Sequence, residues 1–221
     1  MARICLSFDN GPDPEVTPTV LDVLAQHELR ASFFVLGHKL AEPSGLALAR
    51  RIRDAGHRLG NHSFSHETPL GEDPRPDAVE IEIAETEALL RPVWDAPRLF
   101  RPFGGGGVLG PHLLSPASVE YLRARRYTCV LWNCVPGDWK DAEGWVEVAL
   151  RDADAAGDEG HLLVVLHDFM PEPMAHLDRF LTELRARGHS FTHELPEDCL
   201  PMVEGEPRPD LDDYVASATR P

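Results

Sequence analysis

Two polar residues that could take part in hydrolysis, Asp9 and Asn10, follow an apolar run at residues 4–6. The run is short enough to predict a strand, and the Gly11-Pro12 pair predicts a turn at its end. A carboxylate beside a possible metal ligand suits metal-assisted hydrolysis. Partners for this pair occur later in the chain, at His62, His66, Arg101, Asp138 and His167.

His62 and His66 are four residues apart and follow a short predicted strand that ends at Gly60. On a helix this spacing places both imidazoles on one face, where a single ion could be bound by both. Two histidines taken alone are more often structural than metal-binding. Their combination with Asp9 and Asn10 favours a metal site.

The remaining candidates each have a structural alternative when taken alone. Arg101 could form a structural ion pair, Asp138 and Trp139 could be a helix start and a core aromatic, and His167 could be a buried core histidine. Residues 104–107 are four consecutive glycines. No Gly-Lys-Ser/Thr sequence follows them to indicate a phosphate-binding loop.

The composition is that of a soluble globular domain, with 221 residues, 43% hydrophobic and 26% charged. The net charge of −16 argues against nucleic acid and against an anionic membrane surface as partners, because phosphate contacts need clustered Lys and Arg. No apolar run is long enough to span a membrane, and no signal peptide is recognised before Asp9. Four cysteines without a C-x-x-C pair favour reduced thiols and a cytoplasmic location. The oligomeric state is not predicted.

Predicted strands and helices alternate along the chain, with strands at 3–8, 31–36, 57–60, 99–100, 127–132, 161–166 and 191–195, and helices at 17–29, 44–55, 77–93, 115–125, 145–155 and 174–187. Nearly every candidate residue follows a strand end. This arrangement is typical of a parallel α/β barrel with its site at the C-terminal ends of the strands. We expect one barrel domain over residues 1–200 and an extended Pro- and Asp-rich tail over 201–221.

Five motifs occur in the order found in the polysaccharide deacetylases, the NodB-homology domains of carbohydrate esterase family 4. The first motif resembles residues 7–12 (Ser-Phe-Asp-Asn-Gly-Pro), the second residues 60–66, the third residues 100–102, the fourth residues 138–139 and the fifth residues 163–168. The resemblance implies an α/β fold, a distorted (β/α)7-8 barrel, and metal-dependent hydrolysis of an acetamide.

The resemblance also implies the roles of the catalytic residues. Asp9 corresponds to the general base that takes a proton from a metal-bound water, and Arg101 to the arginine that pairs with this base. His167 corresponds to the general acid that protonates the leaving amine, and Asp138 belongs to the fourth catalytic motif.

The implied metal ligands are His62, His66 and Asn10, with Zn²⁺ or Co²⁺ as the expected divalent ion. Most family members have an aspartate at the position of Asn10. A neutral amide oxygen is a weaker ligand than a carboxylate, so weak metal binding is expected.

Substrate-binding residues are implied around the reactive groups. Trp139 corresponds to a wall of the substrate groove, and backbone N–H groups at Phe103, Gly104 and Gly105 could hold the oxyanion. Two departures from the family pattern lie here: the third motif reads Arg-Pro-Phe-Gly-Gly instead of Arg-Pro-Pro-Tyr-Gly, and Val135 stands where an aspartate is usual.

The function that the sequence predicts is metal-dependent removal of an acetyl group from an N-acetylated sugar or oligosaccharide. Two alternatives stay open. One is a carbohydrate-binding relic of the fold that has lost catalysis. The other is a cytoplasmic amidohydrolase that acts on a small non-sugar amide. The survival of Asp9, Arg101 and His167 disfavours the relic, because a binding groove needs no proton-transfer groups.

Overall fold

A curled, mostly parallel sheet forms the centre of the fold in a computed structural model that describes residues 1–217. The strands run in the order β6-β1-β2-β3-β4-β5-β8-β9, with β7 also paired to β1. Their bounds are β1 Arg3–Asp9, β2 Ser32–Val35, β3 Arg58–Asn61, β4 Leu99–Phe100, β5 Thr128–Cys129, β6 His161–His167, β7 Ser190–Phe191, β8 Met202–Val203 and β9 Glu206–Pro207.

The sheet curls until the segment after β5 approaches β6. Cys134 forms an isolated parallel bridge with Val164, and the Val165 N–H donates to the Cys134 carbonyl at 3.0 Å. The single-domain distorted barrel predicted from the sequence is thereby confirmed, in the form of a curled half-barrel. The C-terminal ends of its parallel strands converge at one end.

Helices cover the outside of the sheet. Their bounds are α1 Val16–Gln26, α2 Gly37–Leu40, α3 Gly45–Asp54, α4 Glu85–Leu90, α5 Pro116–Ala124, α6 Trp145–Ala156, α7 Pro171–Met174 and α8 Leu177–Ala186. A π-helical turn at Glu80–Ala84 precedes α4. None of the helices in residues 1–217 combines the length and apolar character needed to cross a bilayer.

The alternation of side chains along β1 decides which residues reach the site. Ile4, Leu6 and Phe8 belong to the main core cluster against the outer helices. Cys5 belongs instead to the small inner cluster, so the alternate positions Ser7 and Asp9 share the interior face. The interior of the barrel therefore changes from apolar to polar toward the C-terminal ends of the strands.

The C-terminal segment differs from the extended tail expected after residue 200. Strands β8 and β9 form an antiparallel pair, and β8 also pairs with β5. Met202 is fully buried and Leu211 is nearly so, and both belong to the core cluster beside β5. These two apolar residues anchor the segment to the core, although its Pro and Asp content predicts an extended tail. The part of the tail prediction that concerns residues 218–221 lies outside the described residues.

The predicted strand at 127–132 is also shorter than expected, because only Thr128–Cys129 pair as β5. The chain then leaves the regular ladder. The Leu131 N–H donates to the Cys199 carbonyl at 2.8 Å instead of continuing along β4. The carbonyls of residues 130–131 thus become available to a side chain from the end of β4.

Candidate active site

A buried ion pair joins Arg101, just after β4, to Asp9 at the end of β1. The guanidinium is fully buried, and its Nη1 donates to Asp9 Oδ1 at 2.7 Å. Nη1 also donates to the Ser7 hydroxyl at 2.9 Å, while Nε and Nη2 donate to the carbonyls of Val130 and Leu131, each at 3.3 Å. All three guanidinium nitrogens therefore have acceptors, and the Asp9 carboxylate is held in one orientation.

A second acid pairs with the histidine at the end of β6. Nδ1 of His167 lies 2.8 Å from Oδ1 of the buried Asp138, and the His167 N–H donates to Oδ2 at 2.8 Å. Burial disfavours the charged imidazole, but the hydrogen bond and charge of Asp138 outweigh this effect, and the net result is a raised pKa for His167. Nε2 of His167 is left to face the pocket.

The register between β1 and β6 brings the Asp9–Arg101 pair and the His167–Asp138 pair together. These strands pair over seven residues, and Asp9 lies directly beside His167 in that register. A carboxylate held by a cation and an imidazole held by an anion therefore face the same space. This pairing of opposite types suits one proton acceptor and one proton donor.

The two histidines and Asn10 line the same pocket as Asp9. Nδ1 of His62 hydrogen-bonds the Arg101 carbonyl at 2.8 Å, which directs Nε2 toward Asp9 Oδ2, 3.6 Å away. The rings of His62 and His66 are 4.9 Å apart. Oδ1 of Asn10 is buried and makes no hydrogen bond within the described residues.

This donor set fits a divalent ion. Burial lowers the pKa of both His62 and His66 to about 3, so both imidazoles are neutral near pH 7, as metal ligands must be. The orphaned amide oxygen of Asn10 would be a third donor to such an ion. Within residues 1–217 no three His, Cys, Asp or Glu side chains are grouped to hold a metal, so a three-ligand site depends on this asparagine.

The four-residue spacing of His62 and His66 would place both rings on one face of a helix, but this segment is not helical. The segment is a loop in which Ser63 and His66 have φ values of 68° and 59°. Non-glycine residues adopt this left-handed region only when the surroundings impose it. The loop, not a helical repeat, brings the two rings together.

Glu82, in the π-helical turn, fixes the histidine loop. Its carboxylate accepts hydrogen bonds from the N–H groups of Phe64 (3.0 Å) and Ser65 (2.8 Å), from the Ser65 hydroxyl (2.7 Å) and from Arg75 (2.8 Å). Burial alone would raise the pKa of Glu82, but these donors lower it. The ionised carboxylate therefore holds the backbone just before His66 in place.

Trp132 supports the four-glycine loop. Its indole Nε1 donates to the Gly107 carbonyl at 2.9 Å, and a Cβ on Gly104 would lie 2.5 Å from the indole ring. Only glycine permits this close approach. Phe103 precedes these glycines and packs against His66, with ring centres 4.0 Å apart. This contact covers the pocket next to His66.

One pocket collects most of the residues that the sequence singled out. It is lined by Asp9, Asn10, His62, His66, Pro102, Phe103, the glycines at 104–107, Trp132, Val135, Trp139, Val165, His167 and Phe169. Arg101 and Asp138 lie behind the lining, where each contacts a residue that does face the pocket. The sequence did not single out Trp132, Glu82 or Phe169.

Comparison with known proteins identifies the family of this chain. The polysaccharide deacetylase profile matches residues 2–108. A peptidoglycan-N-acetylglucosamine deacetylase of Bacillus cereus is 30% identical over 195 residues, covering 85% of this chain and 84% of the relative. The chain belongs to the polysaccharide deacetylase family.

Two further members extend the comparison. A chitooligosaccharide deacetylase of Rhizobium leguminosarum bv. phaseoli is 31% identical, over 75% of this chain and 68% of its own length. A family 4 acetyl xylan esterase from Clostridium thermocellum, solved in complex with a cobalt ion, has a TM-score of 0.68 and 28% identity, and the match covers 87% of each chain. Both similarities cover a larger share of this chain than the family profile does.

Asp168 is an additional buried acid that sequence reasoning did not use, although it belongs to the fifth motif of the family. It is fully buried. One oxygen accepts the Thr17 hydroxyl at 2.5 Å, and the other has no partner within the described residues. A Cβ on Gly11 would lie 2.4 Å from this carboxyl. Burial raises the pKa of Asp168 to about 7.

The pKa of Asp168 predicts a specific pH dependence of stability. In the unfolded chain the carboxyl ionises near its ordinary pKa of 3.8, whereas in the folded protein it keeps its proton to about pH 7. The folded state therefore loses stability relative to the unfolded state as pH rises from about 4 to 7. We expect Asp168→Asn to remove this loss.

Urea unfolding of the wild type and of Asp168→Asn at several pH values checks this prediction. The variant should gain on the order of a few kcal/mol relative to the wild type between pH 4 and 8, since one pKa unit corresponds to about 1.4 kcal/mol. Asp22→Asn, at an exposed aspartate, is the control and should show no such trend. A difference between Asp168→Asn and wild type that is constant with pH would contradict the assignment.

Proposed function

We propose that this protein hydrolyses the acetamide of an N-acetylated sugar or glycan and releases acetate. The observation that carries the proposal is the pairing of Asp9 with Arg101 and of His167 with Asp138, side by side on β1 and β6 and facing one pocket. The named activities of the Bacillus and Rhizobium relatives support an N-acetylated sugar as substrate. A cytoplasmic location is part of the proposal, supported by four free, buried cysteines.

Asp9 acts as the base. Arg101 occupies Oδ1 of the carboxylate, so Oδ2, on the side of His62, is the oxygen that can accept a proton from water. The water oxygen then bonds to the carbonyl carbon of the acetamide. A carboxylate fixed in one orientation loses little entropy when it takes the proton, which favours this step.

His167 acts as the acid. The hydrogen bond and charge of Asp138 raise the pKa of His167, which favours the protonated imidazole, and Asp138 holds Nδ1 so that Nε2 carries the transferable proton. Donation of this proton to the amide nitrogen allows the C–N bond to break, giving acetate and a free amine. Without it the leaving group would be an amide anion, which is a very poor leaving group.

Backbone N–H groups of the glycine loop stabilise the oxyanion. Within residues 1–217, the N–H groups of Phe103, Gly104 and Gly105 donate to no backbone carbonyl. Trp132 anchors the loop, so these donors are held in place before substrate binds. Fixed donors of this kind stabilise developing negative charge without reorganisation.

His62, His66 and Asn10 would hold a divalent ion, Zn²⁺ or Co²⁺, in this proposal. When bound, the ion would polarise the acetyl carbonyl and lower the pKa of water in the site. Support comes from the neutral histidines, from the orphaned Asn10 oxygen and from the cobalt ion in the Clostridium esterase structure. Asp13 and Glu67, the other nearby carboxylates in sequence, do not line the pocket.

Acetate release from a panel of N-acetyl sugars and chitooligosaccharides, with and without added Zn²⁺ or Co²⁺, tests the proposal. Asp9→Asn should abolish acetate release while it preserves the thermal unfolding transition, because the amide cannot accept the proton. Asp22→Asn is the matched control, at an exposed site on α1. Release of acetate by Asp9→Asn at the wild-type rate would refute this role of Asp9. No release from any substrate by the metal-supplemented wild type would favour a binding relic.

Asn10→Asp should bind Zn²⁺ more tightly than the wild type, by on the order of 1–3 kcal/mol, because a charged oxygen replaces a neutral one. The change preserves the backbone, since Asp tolerates the left-handed conformation of Asn10 (φ 70°). Calorimetric titration of Zn²⁺ into both forms measures the difference directly, and His62→Ala provides the control for lost binding. Equal affinities of the two forms would show that Asn10 is not a ligand.

A further inference from the structure

The chain contains two lysines among its 21 Lys and Arg residues, and both lie beside the catalytic pocket. Nζ of Lys39, in α2, is 5.4 Å from the ring centre of Phe169. Nζ of Lys140 is 5.2 Å from the ring of Trp139. Phe169 and Trp139 both line the pocket.

These two aromatic rings are also the ones that flank the proposed acid. The Trp139 ring centre is 4.8 Å from that of His167, and the Phe169 ring centre is 5.9 Å from it, both with the planes steeply inclined. The nitrogen that receives the His167 proton must lie close to this imidazole. The amine portion of the substrate would therefore lie close to both aromatic rings, each of which has an ammonium group nearby.

The pocket offers few other polar contacts to that portion. Apart from Asp9, Asn10 and the three histidines, its lining consists of glycine, proline, valine and aromatic side chains. In particular, Val135 stands where the family pattern has an aspartate. Lys39 and Lys140 each add an ammonium group beside an aromatic ring of this lining.

The only two lysines of the chain thus lie beside one pocket, in a protein whose net charge is −16. Lys39 is partly balanced by Asp13, whose Oδ2 lies 3.9 Å from Nζ, and buried Asp168 lies within its electrostatic range. Lys140 is exposed and forms no ion pair within residues 1–217. Flexible, strongly hydrated ammonium groups can reach an anion without a preformed cage.

We propose that the substrate carries an anionic group, a carboxylate or a phosphate, on the amine portion of the molecule, and that Lys39 and Lys140 bind it. The inference rests on the proposed deacetylation and specifies its substrate class. Both lysines act on binding and not on the chemical step, so their effect should fall on KM more than on kcat.

The test compares acetate release from three monosaccharides that share one acetamide: N-acetylglucosamine, its 3-O-lactyl ether and its 6-phosphate. We expect kcat/KM to be at least about fivefold higher for one of the anionic sugars than for the neutral sugar. A fivefold ratio is about the effect of one additional pair of opposite charges in water. The preference should fall when salt is raised from about 20 mM to about 500 mM, because exposed charges are screened. The lactyl and phosphate arms identify which anion is preferred.

Lys39→Gln, Lys140→Gln and the double variant should lose this preference, mainly through KM for the anionic sugar. Arg126→Gln removes the same charge at an exposed site paired with Glu204 and should behave as the wild type. A wild type that prefers the neutral sugar, or a preference that persists in the double variant, would overturn the inference while deacetylation itself stands. If none of the three sugars releases acetate, and the chitooligosaccharides also fail, the proposed function is refuted together with this inference.

Discussion

The arrangement of the candidate active site depends on the burial of one arginine. Arg101 has no exposed surface, stacks on Phe34 with the guanidinium carbon 3.9 Å from the ring centre, and directs its donors at Asp9, Ser7 and two carbonyls. A buried charge is tolerated only when it is paired and hydrogen-bonded, so these partners cannot move independently. The irregular backbone at residues 130–131 follows from this need, since its carbonyls serve the guanidinium and not a neighbouring strand.

The two buried acids of the site differ in their partners. Oδ1 of Asp9 accepts a hydrogen bond from Arg101, and its Oδ2 lies on the side of His62. Both carboxylate oxygens of Asp138 are hydrogen-bonded to His167, one to its Nδ1 and the other to its backbone N–H. The long β1–β6 pairing sets these two couples side by side, while the shorter strands β2, β3 and β4 contribute the loops around them. Rigid strands thus position the proposed proton-transfer groups, and loops fixed by Glu82 and Trp132 position the proposed metal and oxyanion groups.

Much of this arrangement could be predicted from the sequence because its signals are local. The apolar runs of β1 and β6 end within one residue of the predicted positions, and Asp9 and His167 follow from those ends. Glu82 could not be found in this way, since it lies among other acids of a predicted helix and only the folded chain brings it to Ser65. Asp168 is similar, because its burial depends on Gly11 and Thr17, far away in sequence. The conformation around His62 and His66 could not be predicted, because a four-residue spacing does not distinguish a helix from a constrained loop.

The central claim is that Asp138 keeps His167 protonated while Asp9, held separately by Arg101, accepts a proton. The pH dependence of kcat/KM for acetate release, measured for the wild type and for Asp138→Asn, tests this claim most directly. The raised pKa of His167 requires Asp138, so the alkaline limb of the profile should move to lower pH in the variant, while the acidic limb stays in place. An alkaline limb that is unchanged in Asp138→Asn would contradict the account.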